Sequence, residues 1–183
     1  MTYREMDFDS REDLLLLCQW YNDSTITSLF NLFRSEEETH HTFTAADFLP
    51  RRQTPTTKTP FANLLIIADG VPIGEARFEM DTPKLLTQQS HTGWISLVIG
   101  NPVYRGKGLG ARVVSHLEER LAAQGAERVE VGIFEYNSPS LKLFSRLGYQ
   151  EISRREGRVW WGGQMWAELR LLKELPTPIE RSL

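Results

Sequence analysis

The stretch Tyr104-Arg105-Gly106-Lys107-Gly108-Leu109-Gly110 decides how this chain is read, because it joins a strand pattern to a helix pattern. Upstream, Trp94-Ile95-Ser96-Leu97-Val98-Ile99 is rich in the residues that favour strands. Downstream, Leu109, Val113, Leu117 and Leu121 repeat along one helical stripe, and Gln124-Gly125 ends it. Glycine lets backbone amides approach a ligand closely, and a helix N-terminus adds partial positive charge, so a turn of this make-up is suited to a pyrophosphate. Arg105 and Lys107 are expected to neutralise the remaining phosphate charge. Two other phosphate loops fit less well. A Walker A loop needs Lys-Ser or Lys-Thr after its last glycine, where this chain has Ala111-Arg112. A dinucleotide fingerprint needs Gly-x-Gly-x-x-Gly, a spacing that Gly106, Gly108 and Gly110 do not have. A tight turn that binds nothing is the remaining alternative.

Working outward, Val129, Val131 and Ile133 alternate as a strand, and Leu141, Phe144 and Leu147 mark a helix stopped by Gly148. Closing strands are expected over Tyr149 to Ile152 and Met165 to Leu172, around turns at Gly157 and Gly162-Gly163. Toward the N-terminus, Leu64 to Ala68 and Ile73 to Met80 read as a hairpin on Asp69-Gly70. Residues 50–60, with three prolines and four threonines, read as a loop. Earlier still, Tyr3 to Phe8 suggests a short strand, Ser10 caps a helix carrying Leu14 to Tyr21, and Ile26, Leu29, Phe30 and Phe33 suggest a second helix. Meander strands followed by strand-helix-strand-helix mean a mixed sheet with helices packed on it. One domain over residues 1–175 is expected, with 176–183 a disordered tail.

The 183 residues are 40% hydrophobic and 25% charged, an ordinary globular mixture. The formal charge of -3 argues against a nucleic-acid partner. Cys18 is the one cysteine and sits in a leucine run, so a packed thiol is expected and no disulfide can form within the chain. The N-terminus lacks the apolar stretch of a signal peptide, and no apolar run approaches the ~20 residues of a membrane span. A cytoplasmic protein with no membrane partner is expected. The adjacent His40-His41 is a poor metal pair, and no metal is expected.

Arg105, Gly108 and Gly110 stand where Arg/Gln-x-x-Gly-x-Gly/Ala requires, and in this the segment resembles the pyrophosphate motif of the GNAT superfamily of N-acetyltransferases. Asn137 to Tyr149 is similar to that family's closing helix, Asn-x-x-Ala-x-x-Leu-Tyr-x-Lys-x-Gly-Phe. Over residues 64–172 the likeness is continuous, and Trp20-Tyr21-Asn22-Asp23 resembles the first helix of the subgroup with ribosomal-protein N-terminal acetyltransferases. The resemblance implies an α+β (mixed α/β) domain, with a twisted mixed sheet of about six to seven strands, helices on both faces and strands splayed at the coenzyme. It implies acetyl-CoA as co-substrate, and transfer of its acetyl group to a primary amine of a small molecule or protein N-terminus, by a monomer or homodimer. Backbone groups of Val98, Ile99 and Gly100 are then expected to pair with the pantetheine arm, with the Ile99 or Gly100 N–H polarising the thioester carbonyl. Amides of Arg105, Gly106, Lys107, Gly108, Leu109 and Gly110 are expected to hold the pyrophosphate, with Asn137, Ser140 and Phe144 completing the coenzyme set.

The chain departs from the pattern where acid and base are needed. Phe144 stands where many members have a tyrosine that protonates the departing thiolate, which leaves Tyr149 or Tyr136 as candidates. Gly132 stands where some relatives place a glutamate, which leaves Glu75 and Glu79, on one strand face either side of Arg77, as candidate bases. These two, with Glu36-Glu37-Glu38, suggest a cationic acceptor such as a polyamine, an aminoglycoside or a protein N-terminus. Trp160, Trp161 and Trp166 read as buried area, or as a wall of the acceptor cleft or a dimer interface. The same departures leave open an acyl-CoA-binding regulatory module with little or no turnover.

Overall fold

A computed structural model describes residues 1–52 and 59–176. The expectation of a mobile 50–60 loop falls mostly, and that of a disordered tail almost wholly, outside the described residues. Strands β1 (Thr2–Glu5), β2 (Phe61–Ala68), β3 (Val71–Met80), β4 (Thr92–Ile99), β5 (Arg128–Phe134), β6 (Gln150–Trp161) and β7 (Gln164–Glu174) form one sheet in the order β1-β2-β3-β4-β5-β7-β6. Only β4 and β5 pair in parallel, joined by helix α4 (Leu109–Ala123); the other pairs are antiparallel. Helix α1 (Arg11–Tyr21), the one-turn helices α2 (Thr27–Phe30) and α3 (Ala45–Phe48), and α5 (Ser138–Arg146) complete the fold.

Strand alternation sorts the sheet into two faces. Ala76, Phe78 and Met80 of β3, Ile95 of β4, Val129, Val131 and Ile133 of β5, and Leu169 and Leu171 of β7 meet the buried stripe Val113, Val114, Leu117 and Leu121 of α4. On the opposite face Leu65 of β2 packs with Leu17, Trp20 and Tyr21 of α1 and with Phe48 of α3. Farther along that second face the residues are charged: Glu75 and Glu79 of β3, Glu130 of β5, Glu168 and Arg170 of β7, all buried.

Three local expectations change. The second helix stops at Phe30, because the chain becomes extended at Asn31 and the Phe33 carbonyl accepts from the Trp160 N–H of β6 at 2.8 Å. The first closing strand runs on to Trp161, and Gly157, at φ 62°, falls in a bulge within it rather than in a turn. The turn is made by Gly162-Gly163 alone. Strand β1 ends at Glu5, after which Met6 and Phe8 drop into the α1 core.

Candidate active site

The β4–β5 ladder holds at Thr92–Arg128, Gly93–Val129 and Trp94–Glu130, and goes no further. Beyond this vertex β4 runs on to Ile99, still paired with β3 (Gly74 faces Ile99, Glu75 faces Val98) but free on the β5 side. Five residues of strand make an open edge of roughly 16 Å, long enough for an amide-bearing arm to add as a strand does. At its far end the chain breaks at Gly100, where an added Cβ would stand 2.1 Å from the Trp20 ring. A short 3-10 turn, Pro102–Tyr104, leads into the glycines. Gly106 and Gly108 have φ of 71° and 74° and Gly108 caps α4; Ala111 N–H turns back to the Gly108 carbonyl at 3.3 Å, while the Leu109 and Gly110 amides at the start of the helix emerge beside the mouth of the splay. The glycine turn expected from the sequence is therefore present in the backbone.

Its side chains behave less simply. Arg105 donates to the Ile99 carbonyl at 3.0 Å, to Thr25 at 2.8 Å and to Asp23 at 2.6 Å, and also to the Gly100 carbonyl. The guanidinium expected to face phosphate instead clamps the end of β4 to the turn after α1. Burial tends to raise the Asp23 carboxyl, but its bonds to Arg105 and Thr25 prevail and hold it at about 2. Lys107, over the Tyr104 ring at 5.5 Å, is the exposed cation of the cradle. Asn137 is a helix cap, accepting from Ser140 N–H at 3.2 Å and donating to the Leu29 carbonyl at 2.9 Å, so it ties α2 to α5. Ser140 is half-buried, whereas Phe144 lies in the core, edge-on to Tyr149 at 4.9 Å.

Tyr149 is not placed as a proton donor to the open edge. It is 4% exposed, its hydroxyl is buried, and burial followed by the neighbouring Glu118 of α4 raises its pKa well above the usual phenol value. Tyr136 donates to the Ser28 carbonyl at 2.7 Å and is likewise raised, by burial.

Both candidate bases share one face, as their spacing requires, but both are already held. Glu79 accepts from Thr82 at 2.9 Å and lies against Arg77 at 2.7 Å and Lys84 at 2.5 Å. Burial alone would raise its carboxyl; Lys84, Arg77 and Thr82 together bring it below its usual value, which makes it a poor proton acceptor. Glu75 is closed in a triad with Tyr21 Oη at 2.5 Å and Arg51 Nη1 at 3.0 Å.

A carboxylate that the sequence did not single out lies beside the end of the β4–β5 ladder. A Cβ on Gly132 would stand 2.5 Å from Oε1 of Glu168 and 3.0 Å from Cη2 of Trp94. Glu168 thus reaches from β7 into the space that a side chain at 132 would fill. Beside it, Arg170 lies over the Trp94 ring at 4.7 Å and pairs with the fully buried Glu130 at 3.0 Å. Glu130 also accepts from Leu86 N–H at 2.8 Å, which holds the loop before β4 in place. The signal was the alternation Ala167, Leu169, Leu171 against Glu168, Arg170, which puts charges on a strand buried on both faces.

No described helix is long and apolar enough to cross a membrane, and among the described residues no group of three or more His, Cys, Asp or Glu side chains is arranged to hold a metal ion. The sequence profile of the Acetyltransferase (GNAT) family matches residues 17–149. A bovine (Bos taurus) thialysine N-epsilon-acetyltransferase is 27% identical over 56 residues, which is 31% of this chain and spans only 33% of that protein. Ribosomal-protein-alanine N-acetyltransferase from Brucella melitensis superposes with a TM-score of 0.71 at 19% identity, over 96% of this chain and 100% of its own. A GNAT superfamily phosphinothricin acetyltransferase from Sinorhizobium meliloti, in complex with AcCoA, gives 0.72 at 21% identity over 95% and 88%.

Proposed function

Because this chain belongs to the GNAT family of acetyltransferases, we propose that it transfers the acetyl group of acetyl-CoA to a primary amine by direct attack in a ternary complex. The observation that carries this is the continuous path from the free edge of β4, Ile95 to Ile99, to the free amides at the start of α4. Pantetheine pairs along the edge, and the pyrophosphate meets the amides of Gly106 to Gly110 with Lys107 nearby. A phosphinothricin acetyltransferase of the same fold is in complex with AcCoA, which supports acetyl-CoA as the co-substrate. The thioester then lies toward the vertex, and an amine arriving over the charged face meets it there. A neutral amine attacks the carbonyl carbon, the carbon–sulfur bond breaks, the sulfur leaves as thiolate, and the proton lost by the acylated nitrogen passes through water to that sulfur. Positioning two substrates in one geometry supplies most of the rate. A cytoplasmic setting suits the single unpaired Cys18.

Gly108→Val tests the cradle, since valine resists a φ of 74° and adds bulk beside the amides. Acetyl-CoA affinity by calorimetry is expected to fall at least about tenfold; unchanged affinity overturns the placement. The core position of Phe144 and the burial of Tyr149 favour a second reading, an acyl-CoA-binding module without turnover. Thiol release from acetyl-CoA with a panel of amines separates the two.

A further inference from the structure

On the face of the sheet over which the amine arrives, most charges are answered locally. Arg51 lies on Glu75, Arg77 and Lys84 lie on Glu79, and Arg170 lies on Glu130, each within 3.0 Å. The exception is at the vertex. Arg155 and Arg158 of β6 approach the same oxygen, Oε2 of Glu168, at only 3.5 and 3.8 Å. That oxygen and the buried Nε of Arg158 have no hydrogen-bond partner among the described residues. A buried polar atom without a partner is costly, and three guanidinium groups lie around this one carboxylate, since Arg170 Nε stands 3.4 Å from its Oε1 while also pairing with Glu130; together they leave an excess of positive charge. Burial first, then Arg155, Arg34 and Arg170, pushes the Arg158 guanidinium below its usual value, as crowded cations require. All this is set in a chain of net charge -3, so the cationic patch is local and not a property of the whole surface.

We propose that the acceptor is a small molecule carrying a carboxylate close to its amine, an amino acid in the simplest case, its ammonium facing Glu168 and its carboxylate facing Arg155 and Arg158. This rests on the acetyl-transfer reading and narrows it. Guanidinium and carboxylate are planar partners that bond in pairs, which suits two arginines three residues apart across the bulge of one strand. The few ångströms between Glu168 and the two arginines restrict the ligand to an amine and an anion separated by a few bonds. A polyamine brings only cations to this place. The acidic residues that suggested a cationic acceptor are otherwise engaged or remote in kind: Glu75 and Glu79 are paired, and Glu36, Glu37 and Glu38 form an exposed 3-10 turn whose Glu38 accepts from the Arg34 N–H.

The test is thiol release from acetyl-CoA with α-amino acids, the matched α-amino acid amides, and spermidine. The acid is expected to exceed its amide by at least about tenfold in kcat/KM, with spermidine no better than the amide. In Arg158→Gln and Arg155→Gln the acid-to-amide ratio is expected to fall toward one, and Arg158→Lys to restore part of it. Because the ratio is taken within one protein, loss of folded material cancels. A ratio near one in the unaltered protein, a preference for spermidine, or a ratio that neither variant moves overturns the inference and leaves acetyl transfer standing. No thiol release with any amine overturns both, and calorimetry with acetyl-CoA then shows whether coenzyme binding survives.

Discussion

The two halves of the proposed site are built in different ways. The coenzyme half is backbone: an unpaired edge of β4, two glycines at positive φ and the first turn of α4, contiguous from Ile95 to Gly110. The acceptor half is side chain: Glu75, Glu79, Trp94, Glu168 and Arg170 from three strands, with Arg155 and Arg158 from a fourth, meeting only when the sheet closes. A half made of amides presents the same surface whatever side chains surround it, whereas a half made of buried charges depends on each partner.

This contrast can be broken most forcefully at Arg170. Removing it leaves Glu130, fully buried, without its counter-ion, so Arg170→Ala is expected to lower stability by about 3 kcal/mol, read as a urea midpoint shift at constant slope. If the halves are independent, acetyl-CoA affinity of the folded fraction stays unchanged; a parallel loss shows that they are not. A smaller effect tests the one side-chain clamp in the coenzyme half. Asp23 titrates at about 2 in the folded protein, below its ordinary 3.8. The sign follows from that depression: the Asp23–Arg105 pair contributes fully above about pH 4, and its contribution is lost as pH falls toward 2. Urea midpoints across this range are expected to fall more steeply in the unaltered protein than in Arg105→Ala. Equal acid limbs separate the clamp from stability. Smallest of all is Tyr149→Phe, which deletes a buried hydroxyl whose nearest polar neighbour is the Glu118 carboxylate, itself held by Lys173. Stability within about 0.5 kcal/mol or slightly higher, with thiol release unchanged, is the expected result; a large loss of turnover restores Tyr149 as a proton donor.

Much of the coenzyme half was legible because its determinants are local. Ile95, Val129 and Ile133 announce strands, Leu109 to Leu121 announces α4, and glycines between them announce a backbone that turns its amides outward. Even there the sequence did not show that the Arg105 guanidinium bonds to Asp23 and Thr25, some 80 residues away, and to two carbonyls just upstream. Glu75 and Glu79 were placed on one face correctly, since two-residue spacing dictates it. Their partners Arg51, Tyr21 and Lys84 come from loops and a helix that no spacing connects to β3. Nor does spacing show that Gly132, the position that looked bereft of a carboxylate, is filled from the neighbouring strand by Glu168.

By itself, then, the sequence determined the mixed sheet, the run of strands and helices from residue 64 onward, and the glycine turn, because periodicity and backbone freedom are properties of neighbouring residues. Tertiary structure alone decided which charges are already paired and which are left to meet a ligand. The physical reason is that an ion pair depends on distance across the sheet, and β3, β5, β6 and β7 acquire their mutual distances only through the register in which they fold.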